Sequence, residues 1–290
     1  MATVAEWIEG ARPRTLPNAV APVVVGAGAA AHLGAFSLPR ATLALIVALA
    51  LIVGVNFAND YSDGIRGTDD DRTGPLRLVA TATVRPRTVR TAAFACFGVA
   101  CLAGVGLVAL TGYWWLLAVG AACVGAAWFY TGGSRPYGYA GFGELAVFLF
   151  FGLVAVLGTV YVQAGTLSWV AVTCAVAIGA FSAAVLLANN LRDIRSDTTA
   201  GKHTLAVRLG DAATRRVYGG LLALPFAGTL LLSWWHPPAA FGAIAALLLL
   251  APLRTVLRGH TGGILVGVLR DTGLAMLLWA ALTAAALAFG

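Results

Sequence analysis

Nine apolar stretches dominate this chain, near residues 17–36, 41–58, 91–111, 113–130, 142–163, 168–188, 217–235, 239–257 and 272–289. Each is long enough to cross about 30 Å of hydrocarbon as a helix. None alternates strictly between apolar and polar residues. Helices are therefore the expected spanning element, because a helix satisfies its own backbone where water is absent. Composition agrees: of 290 residues, 60% are hydrophobic and 11% charged, against about 25% charged in a soluble domain. The eighth stretch is the weakest, because Pro252 and Arg254 cut into its end. The predicted fold class is an all-α integral membrane protein of about nine transmembrane helices, one domain over 1–290.

Charge placement orients the spans. If they alternate in direction, 18 of the 19 Lys and Arg residues fall on one side and only Arg40 on the other. The positive-inside rule makes that side cytoplasmic. All 12 acidic residues lie there too. The opposite side has short links and aromatic anchors: Tyr113, Trp114, Trp115, Trp169, Trp234 and Trp235. The expectation is a multi-pass inner-membrane protein with a cytoplasmic N-terminus and its C-terminus outside. Residues 1–16 hold Glu6, Trp7, Glu9, Arg12 and Arg14 and read as an interfacial segment rather than a cleavable signal peptide. The net charge of +7 borders the spans, which favours anionic lipid and an anionic substrate over nucleic acid. Cys96, Cys101, Cys123 and Cys174 sit inside apolar runs and read as small buried hydrophobes.

Two long cytoplasmic loops, 59–90 and 189–216, follow acidic motifs. The second span runs into Asn56, Asn59, Asp60 and Asp63, and the sixth into Asn189, Asn190, Asp193 and Asp197. Ala58-Asn59-Asp60-x-x-Asp63 aligns without a gap on Ala188-Asn189-Asn190-x-x-Asp193. Four spans separate them, an even number, so both face the same side, as in a parallel internal repeat. On a helix, residues three or four apart share a face, which makes Asn56, Asn59, Asp60 and Asp63 one polar stripe and Asn189, Asp193 and Asp197 another. Clustered oxygen donors suit a hard cation, and magnesium takes one or two carboxylates plus phosphate oxygens and water. The expected metal set is Asp60, Asp63, Asp69, Asp193 and Asp197, facing a diphosphate. The plain alternative is solvated loop charge. It is weak for acids that begin on apolar helix ends and stronger for Asp70 and Asp71. Ala80 stands where a calcium loop starting at Asp69 would need Glu.

Cations follow each motif: Arg72 and Arg77 the first, Lys202 the second. Any one Arg is equally well a membrane anchor. Lys202, the chain's only lysine, lies in a Gly-flanked turn and favours phosphate contact. His203 beside it reads as a surface residue. A third cytoplasmic segment, Tyr130-Thr131-Gly132-Gly133-Ser134-Arg135, joins spans four and five, and Glu144 enters the fifth. Tyr130, Arg135 and Glu144 are candidate substrate contacts, as are Asn56, Asn59, Asn189 and Asn190.

These residues resemble the UbiA superfamily of intramembrane aromatic prenyltransferases. Its first motif is similar to Asn59-Asp60-x-x-Asp63 and its second, Asp-x-x-x-Asp-x-x-x-Gly-x-x-Thr, to Asp193, Asp197, Gly201 and Thr204. Much of the superfamily has an acid where this chain has Gly67, and here the acid comes at Asp69. That shift, with Arg72-Thr73-Gly74-Pro75-Leu76-Arg77, looks like the 1,4-dihydroxy-2-naphthoate polyprenyltransferase branch. Arg12-Pro13-Arg14-Thr15-Leu16-Pro17, Tyr130-Thr131-Gly132-Gly133 and Gly201-Lys202-His203-Thr204-Leu205 look like it too. Arg135 stands in the region of a Tyr-x-x-x-Lys element of many relatives.

The resemblance implies nine helices around a central cavity. It also implies Mg2+-dependent transfer of a polyprenyl group from polyprenyl diphosphate to 1,4-dihydroxy-2-naphthoate, with loss of carbon dioxide, giving demethylmenaquinone. Another aromatic acceptor is the nearest rival. A cation-coupled transporter also uses repeats and intramembrane acids, but here the acids crowd one face.

Overall fold

The computed structural model describes residues 2–68 and 76–290, and every regular element among them is helical. Apart from short 3-10 turns at Pro13–Thr15 and Tyr137–Ala140, in chain order these are α1 (Val4–Ala11), α2 (Pro17–His32), α3 (Leu38–Arg66), α4 (Pro86–Thr111), α5 (Leu116–Phe129), α6 (Gly143–Ala164), α7 (Trp169–Arg192), α8 (Ile194–Thr199), α9 (Leu205–Leu209), α10 (Asp211–Trp235), α11 (Pro237–Leu257) and α12 (Ile264–Phe289). Among the described residues, seven helices are long and apolar enough to cross a membrane: α3, α4, α6, α7, α10, α11 and α12. The chain is thus a multi-pass membrane protein. The stretches near 17–36 and 113–130 become the shorter α2 and α5. At 1.5 Å per residue, α2 rises roughly 24 Å and α5 about 21 Å. Pro252 lies inside α11 without ending it.

Two hydrophobic cores organise the helices. One surrounds α7, whose Ala175, Ile178, Phe181 and Leu187 are fully buried against α2, α6, α10 and α12. The other joins α3 to α4 through Phe57, Ala58, Val89, Ala93 and Phe97, and Leu78 packs into it from the loop. Each core carries one acidic motif, at the end of α3 and of α7.

Small residues set the helix spacing around α7. A side chain on Gly152 of α6 would meet the Gly179 backbone of α7 at 2.5 Å, so here the two backbones touch directly. Gly28 of α2 lies equally close to Ala284 of α12. Residues Phe148–Leu157 of α6 form a π-helix against α7, a rare geometry that often accompanies functional sites.

At the α3 end remote from the motif, Arg40 is no loose anchor. Its guanidinium donates to the carbonyls of Val162 (3.3 Å) and Gln163 (3.1 Å) at the end of α6. Those carbonyls lack a partner within their own helix, which gives Arg40 a structural role at this end.

Candidate functional site

The first motif stays helical beyond its apolar stretch. α3 continues through Asp63 to Arg66 and stops where Gly67 takes the left-handed conformation. One face of its last turns therefore carries Asn56, Asn59, Asp60 and Asp63, but they have separate partners. Asn56 is buried, and its amide donates to Ala11 O and Thr15 Oγ1, both at 2.9 Å, tying the N-terminal segment to α3. Asp60 is 1% exposed, and its two carboxylate oxygens accept the backbone N–H groups of Leu78 (2.8 Å) and Val79 (3.1 Å). It clasps the returning loop. Asn59 accepts from the Thr131 hydroxyl at 2.8 Å, while Arg66 donates to the carbonyls of Thr131 and Gly133. The glycine-bearing segment after α5 is thus docked on α3 by carbonyls.

Asp63 faces the second motif. Its carboxylate accepts from the Tyr139 hydroxyl and lies 3.5 Å from Lys202 Nζ and 4.0 Å from Arg77 Nη2. Lys202 also stands 4.7 Å above the Tyr139 ring, a cation–π distance. These groups are nearly shut from solvent, with side-chain exposures of 5% for Asp63, 6% for Lys202 and 10% for Arg77.

The second motif is broken where the stripe was predicted to run on. α7 ends at Arg192 and α8 starts at Ile194, but Asp197 N–H still donates to Asp193 O at 2.8 Å. The Arg192 guanidinium grips the Asp193 carboxylate with two 2.7 Å bonds and reaches Asn189 Oδ1 at 2.9 Å. Asp197 is buried with Thr204 Oγ1 3.5 Å from its Oδ2. Gly201, with φ of 69°, turns the chain so that Lys202 N–H donates to Asp197 O at 2.8 Å while its ammonium crosses to Asp63. That ion pair brings the two motifs together.

Glu144 and Tyr130 close the far side. Asn190 donates to Glu144 Oε1 at 2.8 Å, and both side chains are buried. Tyr130 sits close enough to Glu144, Asp63 and Asp197 to feel all three charges. Arg135 is exposed, with no hydrogen bond or ion pair among the described residues. Asp69, Asp70, Asp71 and Arg72 lie outside the described residues.

Tyr139 escaped the sequence reading. It lies outside both motifs in a Tyr-Gly-Tyr turn, yet its carbonyl accepts from His203 N–H at 2.9 Å and its hydroxyl binds Asp63. Burial holds that hydroxyl protonated well beyond the usual tyrosine range, and the Asp63 charge adds to the effect. No sequence signal separated Tyr139 from Tyr137, whose hydroxyl instead donates to Ala126 O at 2.9 Å.

Among the described residues, no three acidic, histidine or cysteine side chains converge as a metal site of their own. A magnesium ion needs only one or two carboxylates when a phosphate supplies the rest. Asp63 and Asp197, from opposite motifs and joined through Lys202, fit that requirement. Lys202 and Arg77 add the positive charge a phosphate ester needs.

Residues 19–264 match the UbiA prenyltransferase family. The chain is 59% identical to 1,4-dihydroxy-2-naphthoate octaprenyltransferase of Mycobacterium tuberculosis (strain ATCC 25618 / H37Rv), over 100% of this chain and 99% of that one. It is 42% identical to the Escherichia coli (strain K12) enzyme of the same name, over 74% and 72% of the two chains. The fold is similar to a UbiA homolog from Archaeoglobus fulgidus bound to GPP and Mg2+, with TM-score 0.62, 16% identity and 97% and 99% of the chains covered.

Proposed function

The chain belongs to the UbiA prenyltransferase family, and from that premise we propose that it transfers a polyprenyl group from polyprenyl diphosphate to 1,4-dihydroxy-2-naphthoate. Carbon dioxide and diphosphate leave, and the product is the prenylated naphthoquinol, demethylmenaquinone in its reduced form. Full-length identity of 59% to an enzyme of that name carries the reading. The buried Lys202–Asp63 contact between the motifs supports the location of the chemistry.

Lys202 and Arg77 bind the diphosphate and stabilise the charge that grows on it as it departs. Asp63 and Asp197 would hold Mg2+, together with Asp69 and with Asp193, which Arg192 orients. Magnesium, when bound, neutralises phosphate charge and so eases cleavage of the allylic C–O bond. Asp60 serves by fixing the loop that carries Arg77, Leu78 and Val79. Asn59, Asn189 and Asn190 orient their neighbours through the bonds described, and Tyr130 lies beside the acceptor. Arg72 and Arg135 are further candidate diphosphate or acceptor contacts. A cavity among the apolar helices keeps water from the allylic cation, and the prenyl tail reaches the bilayer sideways.

We assign nine crossings, with α2 and α5 as the short ones, and a parallel repeat that places α3 and α7 in equivalent positions. The N-terminus and the 59–90 and 189–216 segments are cytoplasmic and the C-terminus outside. The exposed Trp114, Trp115, Trp234 and Trp235 at the opposite helix ends suit an outer interface. The test is direct: purified protein in lipid, with Mg2+, a polyprenyl diphosphate and the naphthoate, should release diphosphate and form the quinol. No turnover, where a known enzyme of this kind succeeds in the same lipid, overturns the reading.

A further inference from the structure

Glu144 is 6% exposed, on the first turn of α6. Asn190 satisfies Oε1, but Oε2 is buried and no other described residue gives it a hydrogen bond. A buried polar atom left unsatisfied is costly, more so on a charged group, so such an atom calls for a reason. Its setting supplies one. A side chain on the neighbouring Gly143 would meet the Tyr130 hydroxyl at 3.0 Å, so Tyr130 lies against this same turn. Asp197 is near enough for its charge to act on Glu144. The unfilled oxygen thus sits at the inner edge of the motif cluster, held in place by Asn190, where the π-helical wall of α6 begins.

We propose that Glu144 Oε2 receives the proton of the acceptor's 1-hydroxyl, acting as the base of the transfer. The proposal rests on the reading of the chain as a naphthoate prenyltransferase. The prenyl C1–O bond breaks, its electron pair leaving with the diphosphate, and the ring carbon bearing the carboxylate bonds to the allylic cation at C1. The 1-hydroxyl proton passes to Oε2, and the ring becomes a ketone beside that carbon. Carbon dioxide then departs, its bonding pair returns to the ring as an enolate, and Glu144 gives the proton back to the enolate oxygen. No proton is gained or lost overall, so a carboxylate with no exit to solvent suffices. A positioned base of this kind contributes about 10²–10⁴ in rate.

Binding and turnover separate this from a packing role. Wild type, Glu144→Gln and Glu144→Ala are titrated with 1-hydroxy-2-naphthoate and with 4-hydroxy-2-naphthoate by tryptophan fluorescence, without prenyl diphosphate. Turnover of the dihydroxy acid is measured in parallel. The expected result is at least tenfold weaker binding of the 1-hydroxy acid in both variants, with the 4-hydroxy acid unchanged. The kcat for the dihydroxy acid should fall at least 100-fold at unchanged KM for prenyl diphosphate. Equal weakening of both analogues, or a kcat within twofold of wild type, overturns the role. A variant that loses the prenyl diphosphate KM as well marks a structural defect and also counts against it. Wild type inert toward the dihydroxy acid would instead sink the underlying function.

Discussion

Asp63→Asn removes the carboxylate that faces two buried cations across the motif interface. Lys202 Nζ is 3.5 Å away and Arg77 Nη2 4.0 Å. With an effective dielectric of about 20, these distances correspond to attractions of roughly 5 and 4 kcal/mol before desolvation is counted. Removing one partner of a buried pair costs about 3–5 kcal/mol, because the remaining charge is left stranded. The amide still offers an oxygen to the Tyr139 hydroxyl, so the electrostatic loss dominates. We expect the single variant to be inactive and less stable by about 3–5 kcal/mol, measured by unfolding in mixed micelles. Asp63→Asn combined with Lys202→Met should recover more than half of that stability while remaining inactive. An Asp63→Asn protein as stable as wild type would refute the electrostatic account. Activity in the double variant would remove the pair from the chemistry.

Asp60→Leu should free the loop at Leu78 and Val79, losing about 1.5–3 kcal/mol per bond to the charged group, and limited proteolysis should then cut between 76 and 85. Asn56→Ala should strip the donor from Ala11 O and Thr15 Oγ1 and leave segment 1–16 quickly nicked while the spans stay folded. Gly152→Val should force α6 off α7, since its Cβ would meet backbone at 2.5 Å, and lower thermal stability in detergent more than Gly158→Val does. Burial pushes Tyr137 up to about 12, against about 10 when unfolded. The folded chain thus keeps a proton the unfolded chain has lost between those values, so this stability is complete below pH 10 and fades as pH rises towards 12. Tyr137→Phe should flatten that alkaline part of the unfolding curve.

Hydropathy and spacing were enough to read the helical class and the gapless pairing of the motifs. Each depends on local chemistry that any neighbour would leave in place. A 20-residue apolar run has to shield its backbone, and residues three apart have to share a helix face. The division of labour inside the motifs depended on neighbours from distant parts of the chain. Asp60 and Asp63 look alike in sequence. One is consumed by backbone N–H groups 18 and 19 residues later, and the other meets a lysine 139 positions away. Asn190, aligned with Asp60, instead donates its side-chain amide to Glu144 on another helix. Tyr139 gained its place only when the segment after α5 folded onto α3 and His203. Even helix length shifted: α3 carries its polar stripe as far as Arg66 because the loop behind it supplies the partners that make a buried polar turn tolerable.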